Sequence, residues 1–317
     1  MNKKAFLFPG QGAQHIGMGM DFYNQIKEAK MVFEEADDTL KSDLSGLIFN
    51  GNEEELKKTE NTQPAILTAS IAMLRALEKE GIDCDYTAGL SLGEYSSLVK
   101  SKSILFSDAL TIVRQRGRFM QEAVPQGLGG MMALLGLSRD KLPELLLKTK
   151  DYGIVEVANY NSPDQIVISG ELKGLSRASK IALELGAKKC VELPVSAPFH
   201  SSLLKPAGER LKSELEKIQI ASFEKRVVTN VDGQVILDKS DLIQKLVDQV
   251  SNSVMWQQSI EYMIDDGVDT FIEIGPGKSL TGFVKRIGKS LKRDVKAISM
   301  SDVDSFHNVL ESINKGA

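Results

Sequence analysis

The hexapeptide Gly89-Leu90-Ser91-Leu92-Gly93-Glu94 constrains the fold more than any other stretch of this chain. The spacing G-x-S-x-G puts a serine at the tip of a sharp strand-to-helix turn, with its hydroxyl held clear of its neighbours. Flanking glycines let the backbone fold that tightly. The context agrees: 85–88 reads as a short strand, and 93–99 as the start of a helix. Such an elbow belongs in an α/β fold, where parallel strands alternate with helices, and it makes Ser91 a candidate nucleophile. The Leu92 N–H, at the head of the helix, would point toward an oxyanion forming beside Ser91. The pentapeptide alone is weak evidence, and an ordinary turn serine is the competing reading.

The remaining bulk properties narrow the class. At 317 residues the chain is long enough for one large domain, or a domain plus a smaller one. Lys and Arg total 39 against 43 Asp and Glu, a net charge of −4 that is too balanced for a nucleic-acid binder. The apolar run 5–8 stops at Pro9-Gly10, too short for a signal peptide, and no apolar stretch reaches the length of a membrane span. Cys84 and Cys190 are the only cysteines, too few for a disulfide framework or a cysteine-based zinc site. A cytoplasmic, soluble protein with no nucleic-acid or membrane partner is expected.

Periodicity suggests how the chain is organised. Strand 5–8 runs into the glycine-rich turn Pro9-Gly10-Gln11-Gly12 and then into helices. A helix over 65–80 carries apolar residues at the 3.6 period, and Ser107 and Asp108 are placed to cap another that runs to about 124. From 126 to 196 the order becomes strand 131–135, a helix capped by Ser138, strands 154–158 and 165–169 joined by the turn formers of 159–164, helix 172–185 and strand 189–195. That βαββαβ order is the ferredoxin-like unit. It predicts a small subdomain at 126–196 inserted into a larger α/β core made of 1–125 and 197–317. The core resumes with a helix after Phe199, strand 227–230, helices 242–250 and 256–265, strand 270–274 and helix 280–291.

A serine nucleophile needs a base, and the chain has three histidines, His15, His200 and His307. His307 reads as a surface residue and His15 as a loop residue. His200, in Ser196-Ala197-Pro198-Phe199-His200-Ser201, sits where the insert returns the chain to the core, a junction at which clefts form. The helix 109–124 holds an anomaly. Ala109, Ile112, Val113, Phe119, Met120 and Ala123 make its apolar face, and Arg116 falls in the middle of it. A buried guanidinium needs an anion, either an Asp or Glu of the fold or a carboxylate on a substrate. Beside a genuine elbow, the Gln11 N–H would supply a second oxyanion donor. Finally, 278–293 carries six Lys or Arg and no acid, so that Lys285, Arg286 and Lys289 form either a solvated helix face or a dock for an acidic partner.

Taken in order, Phe8-Pro9-Gly10-Gln11-Gly12, Thr62-Gln63-Pro64-Ala65, Gly89 to Glu94, Gln115-Arg116-Gly117, Asn159-Tyr160-Asn161-Ser162-Pro163, Ala197-Pro198-Phe199-His200-Ser201 and Gly275-Pro276-Gly277 resemble the malonyl-CoA:acyl-carrier-protein transacylases over nearly the whole chain. The resemblance implies an α/β-hydrolase-like core with a ferredoxin-like insert. It implies Ser91 as the acylated serine, His200 as its base, and the Gln249 main-chain carbonyl as the group orienting that base. It further implies Arg116 on the malonyl carboxylate, Gln11 and Leu92 as oxyanion donors, and Gln63, Met120, Asn161 and Phe199 around the substrate. No bound cofactor or metal is implied. Malonyl-CoA is the substrate, phosphopantetheine arrives on the partner acyl carrier protein, and a monomer is expected. Many members carry histidine immediately before the serine, where this chain has Leu90. Three rivals remain: a serine thioesterase or esterase, which would want an apolar channel rather than Arg116; a non-catalytic carrier-protein module; and a trans-acting acyltransferase of a polyketide pathway.

Overall fold

The protein is described by a computed structural model covering residues 3–125, 127–195 and 197–314. In chain order, β1 (Lys3–Phe8) is followed by α1 (Met20–Gln25), α2 (Lys27–Leu40), α3 (Leu44–Asn50), α4 (Glu53–Lys57) and α5 (Thr59–Lys79), then by β2 (Tyr86–Gly89), α6 (Gly93–Lys100) and α7 (Phe106–Glu122). Next come β3 (Gly129–Leu135), α8 (Leu142–Thr149), β4 (Val155–Ser162), β5 (Gln165–Glu171), α9 (Leu172–Glu184) and β6 (Lys189–Glu192). The last third holds α10 (Lys205–Leu215), β7 (Arg226–Val228), α11 (Leu242–Ser251), α12 (Trp256–Asp265), β8 (Val268–Ile274), α13 (Ser279–Leu291), β9 (Lys296–Met300) and α14 (Val303–Asn314).

Five strands form a parallel sheet in the order β7-β2-β1-β8-β9. Parallel strands covered on both faces are apolar throughout, and Ala5, Phe6, Leu7 and Phe8 are all fully buried. Side chains alternate across the sheet. Phe6 and Phe8 therefore join the cluster built on α2, α5 and α7, while Ala5 and Leu7 join the one built on α12 and α13.

The other four strands form an antiparallel sheet in the order β4-β5-β3-β6, the ferredoxin-like arrangement. The same alternation sorts its two faces. Leu134, Ile166 and Ile168 pack under α8 and α9, whereas Met131, Ala133 and Val167 turn toward the core. The chain thus has the expected α/β architecture, a parallel core sheet and a separate antiparallel one. The limits set for the insert, 126 and 196, lie outside the described residues.

Several expected element limits moved. The helix expected at 65–80 begins at Thr59, because burial of Thr62 and Gln63 beside α7 outweighs the one hydrogen bond that Pro64 cannot donate. Ser107 and Asp108 lie inside the first turn of α7, whose N-cap is Leu105. Ser138 precedes a single 3₁₀ turn and makes no side-chain cap, turning its hydroxyl to Asp140 instead. The turn expected at 159–164 shrinks, because β4 runs on to Ser162 through two irregularities of register. Bulges of this kind re-aim side chains. Here they leave Asn159 and Asn161 facing the core. Strand β6 stops at Glu192, where its pairing with Met132 ends, and Leu193 and Val195 turn into the cleft.

Candidate active site

The elbow forms where β2 hands over to α6, and Ser91 itself carries the left-handed backbone, with φ 53°. For a residue with a Cβ that conformation stores roughly 1–3 kcal/mol of strain. The flanking glycines serve packing rather than φ. A Cβ on Gly89 would lie 1.9 Å from the Gly93 backbone, and one on Gly93 would lie 2.1 Å from the Phe8 carbonyl oxygen. Asn230, just past β7, locks the turn: its Oδ1 accepts the Ser91 N–H at 2.6 Å and its Nδ2 donates to the Gly89 carbonyl at 2.7 Å. Leu92 is the N-cap of α6, so its N–H stands at the positive end of that helix.

His200 lies opposite with its Nε2 2.8 Å from Ser91 Oγ and its Nδ1 2.8 Å from the Gln249 carbonyl oxygen. A carbonyl can only accept, so Nδ1 carries the proton and Nε2 is left to receive one from the serine. His200 also has a left-handed backbone, with φ 59°. Burial, and then the nearby Arg116 charge, push its pKa down to about 4, which keeps the imidazole neutral near pH 7.

Arg116 is 1% exposed. Its Nη1 donates to Gln63 Oε1 at 2.8 Å, and its Nη2 donates to Gln249 Oε1 at 2.9 Å and to Ser91 Oγ at 3.1 Å. Among the described residues no Asp or Glu pairs with it, so the internal ion pair that its burial could have meant is not formed. Its guanidinium ends on neutral oxygens, and its Nε has no partner there. Desolvation lowers its pKa. The nucleophile therefore stands beside a charge that a substrate carboxylate would neutralise.

A cavity of about 370 Å³ opens over these groups. Gln11, in the turn after β1, and Leu92 lie on one side of it, with Gln63 and Met120 from α5 and α7 behind. Asn161 and Phe199 close the side nearer the small sheet. The two bodies are stitched together there: Tyr160 N–H donates to Val254 O at 3.0 Å and Val254 N–H to Ala158 O at 2.8 Å. Leu90 lies in the wall of the cavity as well, at the position preceding the serine.

Phe283 of α13 lines the cavity, while Lys285, Arg286 and Lys289 are exposed along that helix, Arg286 with its guanidinium over the Phe283 ring. Arg286 is already engaged, with its Nε 3.1 Å from Asp164. His15 and His307 are exposed and neither lines the cavity.

Two residues escaped the sequence reading. Asn230 carries no local signal beyond following a short apolar strand, and its partner is 139 positions away. Glu94 lay in view within the elbow motif. It is fully buried, and its Oε2 accepts from Gln249 Nε2 at 2.8 Å and from the Asn230 N–H at 3.0 Å.

The chain matches the acyl transferase domain family over residues 5–305. It is 48% identical to the malonyl CoA-acyl carrier protein transacylase of Bacillus subtilis (strain 168), over 99% of this chain and 98% of that one. It is 43% identical to the same-named protein of Staphylococcus aureus (strain MRSA252), over 96% and 97%. The crystal structure of the malonyl CoA-acyl carrier protein transacylase from Clostridium perfringens superposes with a TM-score of 0.95 at 47% identity, covering 99% of this chain and 98% of that one. A malonyl-transacylase solved in complex with a type II PKS acyl-carrier protein superposes at 0.93 with 39% identity, covering 98% and 100%. Family model, sequence identity and fold agree, and the chain belongs to the acyl transferase family, among the malonyl CoA-acyl carrier protein transacylases.

Proposed function

We propose that the malonyl transfer from malonyl-CoA to acyl carrier protein, the activity of this family, runs in this chain through a malonyl ester on Ser91. His200 Nε2 takes the Ser91 proton as Oγ attacks the thioester carbonyl. The Gln11 and Leu92 N–H groups hold the oxyanion, and Gln249 O keeps the imidazole in the required tautomer and steadies the imidazolium. The carbon–sulfur bond then breaks, His200 returns the proton to the departing CoA sulfur, and the malonyl ester remains. In the second half the phosphopantetheine thiol of the carrier gives its proton to His200 and attacks the ester, and Ser91 regains the proton as it leaves. These steps call for no metal or redox group.

Arg116 grips the malonyl carboxylate in both halves, with Gln63, Met120 and Asn161 around the acyl chain. Phe199, beside the base, crowds the α-carbon and disfavours a branching methyl. The core 1–125 and 197–317 supplies the chemistry, and 126–196 roofs the cleft. Lys285, Arg286 and Lys289 offer the carrier a basic surface, with Arg286 the least free of the three. The enzyme works as a cytoplasmic monomer whose product feeds fatty-acid chain elongation. Among the described residues no helix is long and apolar enough to cross a membrane.

The observation that carries this reading is the buried Arg116 guanidinium 3.1 Å from the nucleophile, with no Asp or Glu of the described residues paired to it. Intact-protein mass after incubation with malonyl-CoA or acetyl-CoA tests it. Wild type should accumulate the malonyl adduct, and Arg116→Ala should lose it steeply while acetyl gains relative ground. Truncating one partner of a buried, hydrogen-bonded charge pair costs about 2–5 kcal/mol. An unchanged malonyl-to-acetyl ratio would reduce Arg116 to a structural role and favour the thioesterase.

A further inference from the structure

Glu94 is a buried acid that the proton and acyl transfers above do not use. It lies in the first turn of α6, three residues after the nucleophile. Burying a carboxyl costs several kcal/mol unless hydrogen bonds meet it, and here one oxygen gathers both of the bonds it makes. Oε2 accepts from Gln249 Nε2 and from the Asn230 N–H, while Oε1 has no partner among the described residues.

Those two partners set the reacting geometry. Gln249 holds His200 through its carbonyl, Arg116 through Oε1, and the Ser91 carbonyl through Nε2 at 3.0 Å. Asn230 holds the elbow at the Ser91 N–H and at the Gly89 carbonyl, on either side of Leu90. Base, nucleophile and guanidinium are therefore each one residue removed from a single oxygen atom.

We propose that Glu94 is a positioning residue for the acyl transfer, its Oε2 clamping Gln249 and Asn230 so that His200, Ser91 and Arg116 keep their working distances. This rests on the reading of Ser91 as nucleophile and His200 as base. The clamp tightens when Glu94 is ionised, because a carboxylate oxygen accepts more strongly than a neutral carbonyl. Burial raises the Glu94 pKa to about 7, so the clamp titrates near neutrality. Arg116 on α7 favours the anion, and Asp232, in the turn after β7 and itself paired with Lys245, opposes it. Tyr95 on α6 is the other titratable neighbour, and His200 is reached through Gln249.

The test compares wild type, Glu94→Gln and Glu94→Ala as full chains. The rate of acylation by malonyl-CoA is followed by intact mass from about pH 5 to about pH 8.5, with circular dichroism to check folding. The wild-type rate should fall as pH drops through about 7. Glu94→Gln keeps an acceptor oxygen but cannot ionise, so its rate should stay within about tenfold of wild type at high pH and lose that inflection. Glu94→Ala frees both partners and should lower the maximal rate about 10²-fold with little change in the half-saturating malonyl-CoA concentration. A folded Glu94→Ala acylating at the wild-type rate, or a Glu94→Gln that retains the inflection, overturns the proposal. If the alanine variant does not fold, the Glu94→Gln profile decides alone. Peptide mapping separates the two readings. Label away from Ser91 overturns the nucleophile assignment, whereas label on Ser91 with unchanged rates overturns the role of Glu94 only.

Discussion

The two sheets of this molecule are built by different rules. The antiparallel sheet is regular apart from two shifts of register in β4, with Leu134, Ile166 and Ile168 packed under two helices, and no non-glycine residue among its described positions has a left-handed backbone. The parallel sheet carries Ser91 in a left-handed turn at the end of a central strand and gathers Gln63, Glu94, Arg116, His200, Asn230 and Gln249, all buried, around it. One half spends most of its burial on packing, with Asn159, Asn161, Ser162 and Ser169 its few buried polar side chains on β4 and β5, and the other holds polar groups and strain that only reciprocal hydrogen bonds make tolerable. The site thus sits where local rules are broken, with the regular half serving as its wall.

The largest effects should come from the strained half. Ser91→Ala should abolish acyl-enzyme formation, and undiminished labelling of that variant by malonyl-CoA would break the comparison at its centre. His200→Ala should slow acylation by ~10²–10⁴-fold, the usual worth of a general acid–base group.

The same residue makes a prediction about stability. Its pKa is about 4 in the fold against an ordinary 6.5, so between those values the unfolded chain takes up a proton that the folded one refuses. That part of the stability is present above pH 6.5 and is lost as pH falls toward 4. His200→Ala should flatten the decline of the urea midpoint over this window relative to wild type. An identical slope in the two proteins would mean the imidazole is not held neutral by burial.

The regular half should respond in the opposite sense. Leu134→Ala, fully buried near the end of β3, should cost about 2–5 kcal/mol of stability while leaving the acylation rate nearly unchanged below the unfolding transition. A fall in rate as large as that of His200→Ala would show that the small sheet is more than a wall. The smallest effects belong to the surface. Reversing Lys285, Arg286 and Lys289 should raise the apparent KM for carrier protein, at roughly 0.2–1 kcal/mol per exposed charge, and leave acylation by malonyl-CoA largely intact. Transfer as good as wild type at low salt would make α13 a solvated face only.

Much of this was legible in the chain because it is local. Alternation and the 3.6 period located most of the strands and helices, though not β9, the G-x-S-x-G spacing marked the elbow, and Arg116 on an apolar helix face announced a buried charge before its partners were known. What the sequence could not decide was where side chains distant along the chain would meet. Whether Arg116 paired with an acid of the fold was open until the structure placed it on Gln63, Gln249 and Ser91. No pattern links Ser91 to Asn230, or Glu94 to Gln249, because those bonds span 139 and 155 residues and depend on which strands become neighbours in the sheet. Periodicity reports only how a segment meets water and core. Which polar atom meets which is settled when β7 joins β2 and α11 lies across the end of the elbow, and that closing of the fold turns a serine, a histidine and a buried acid into one site.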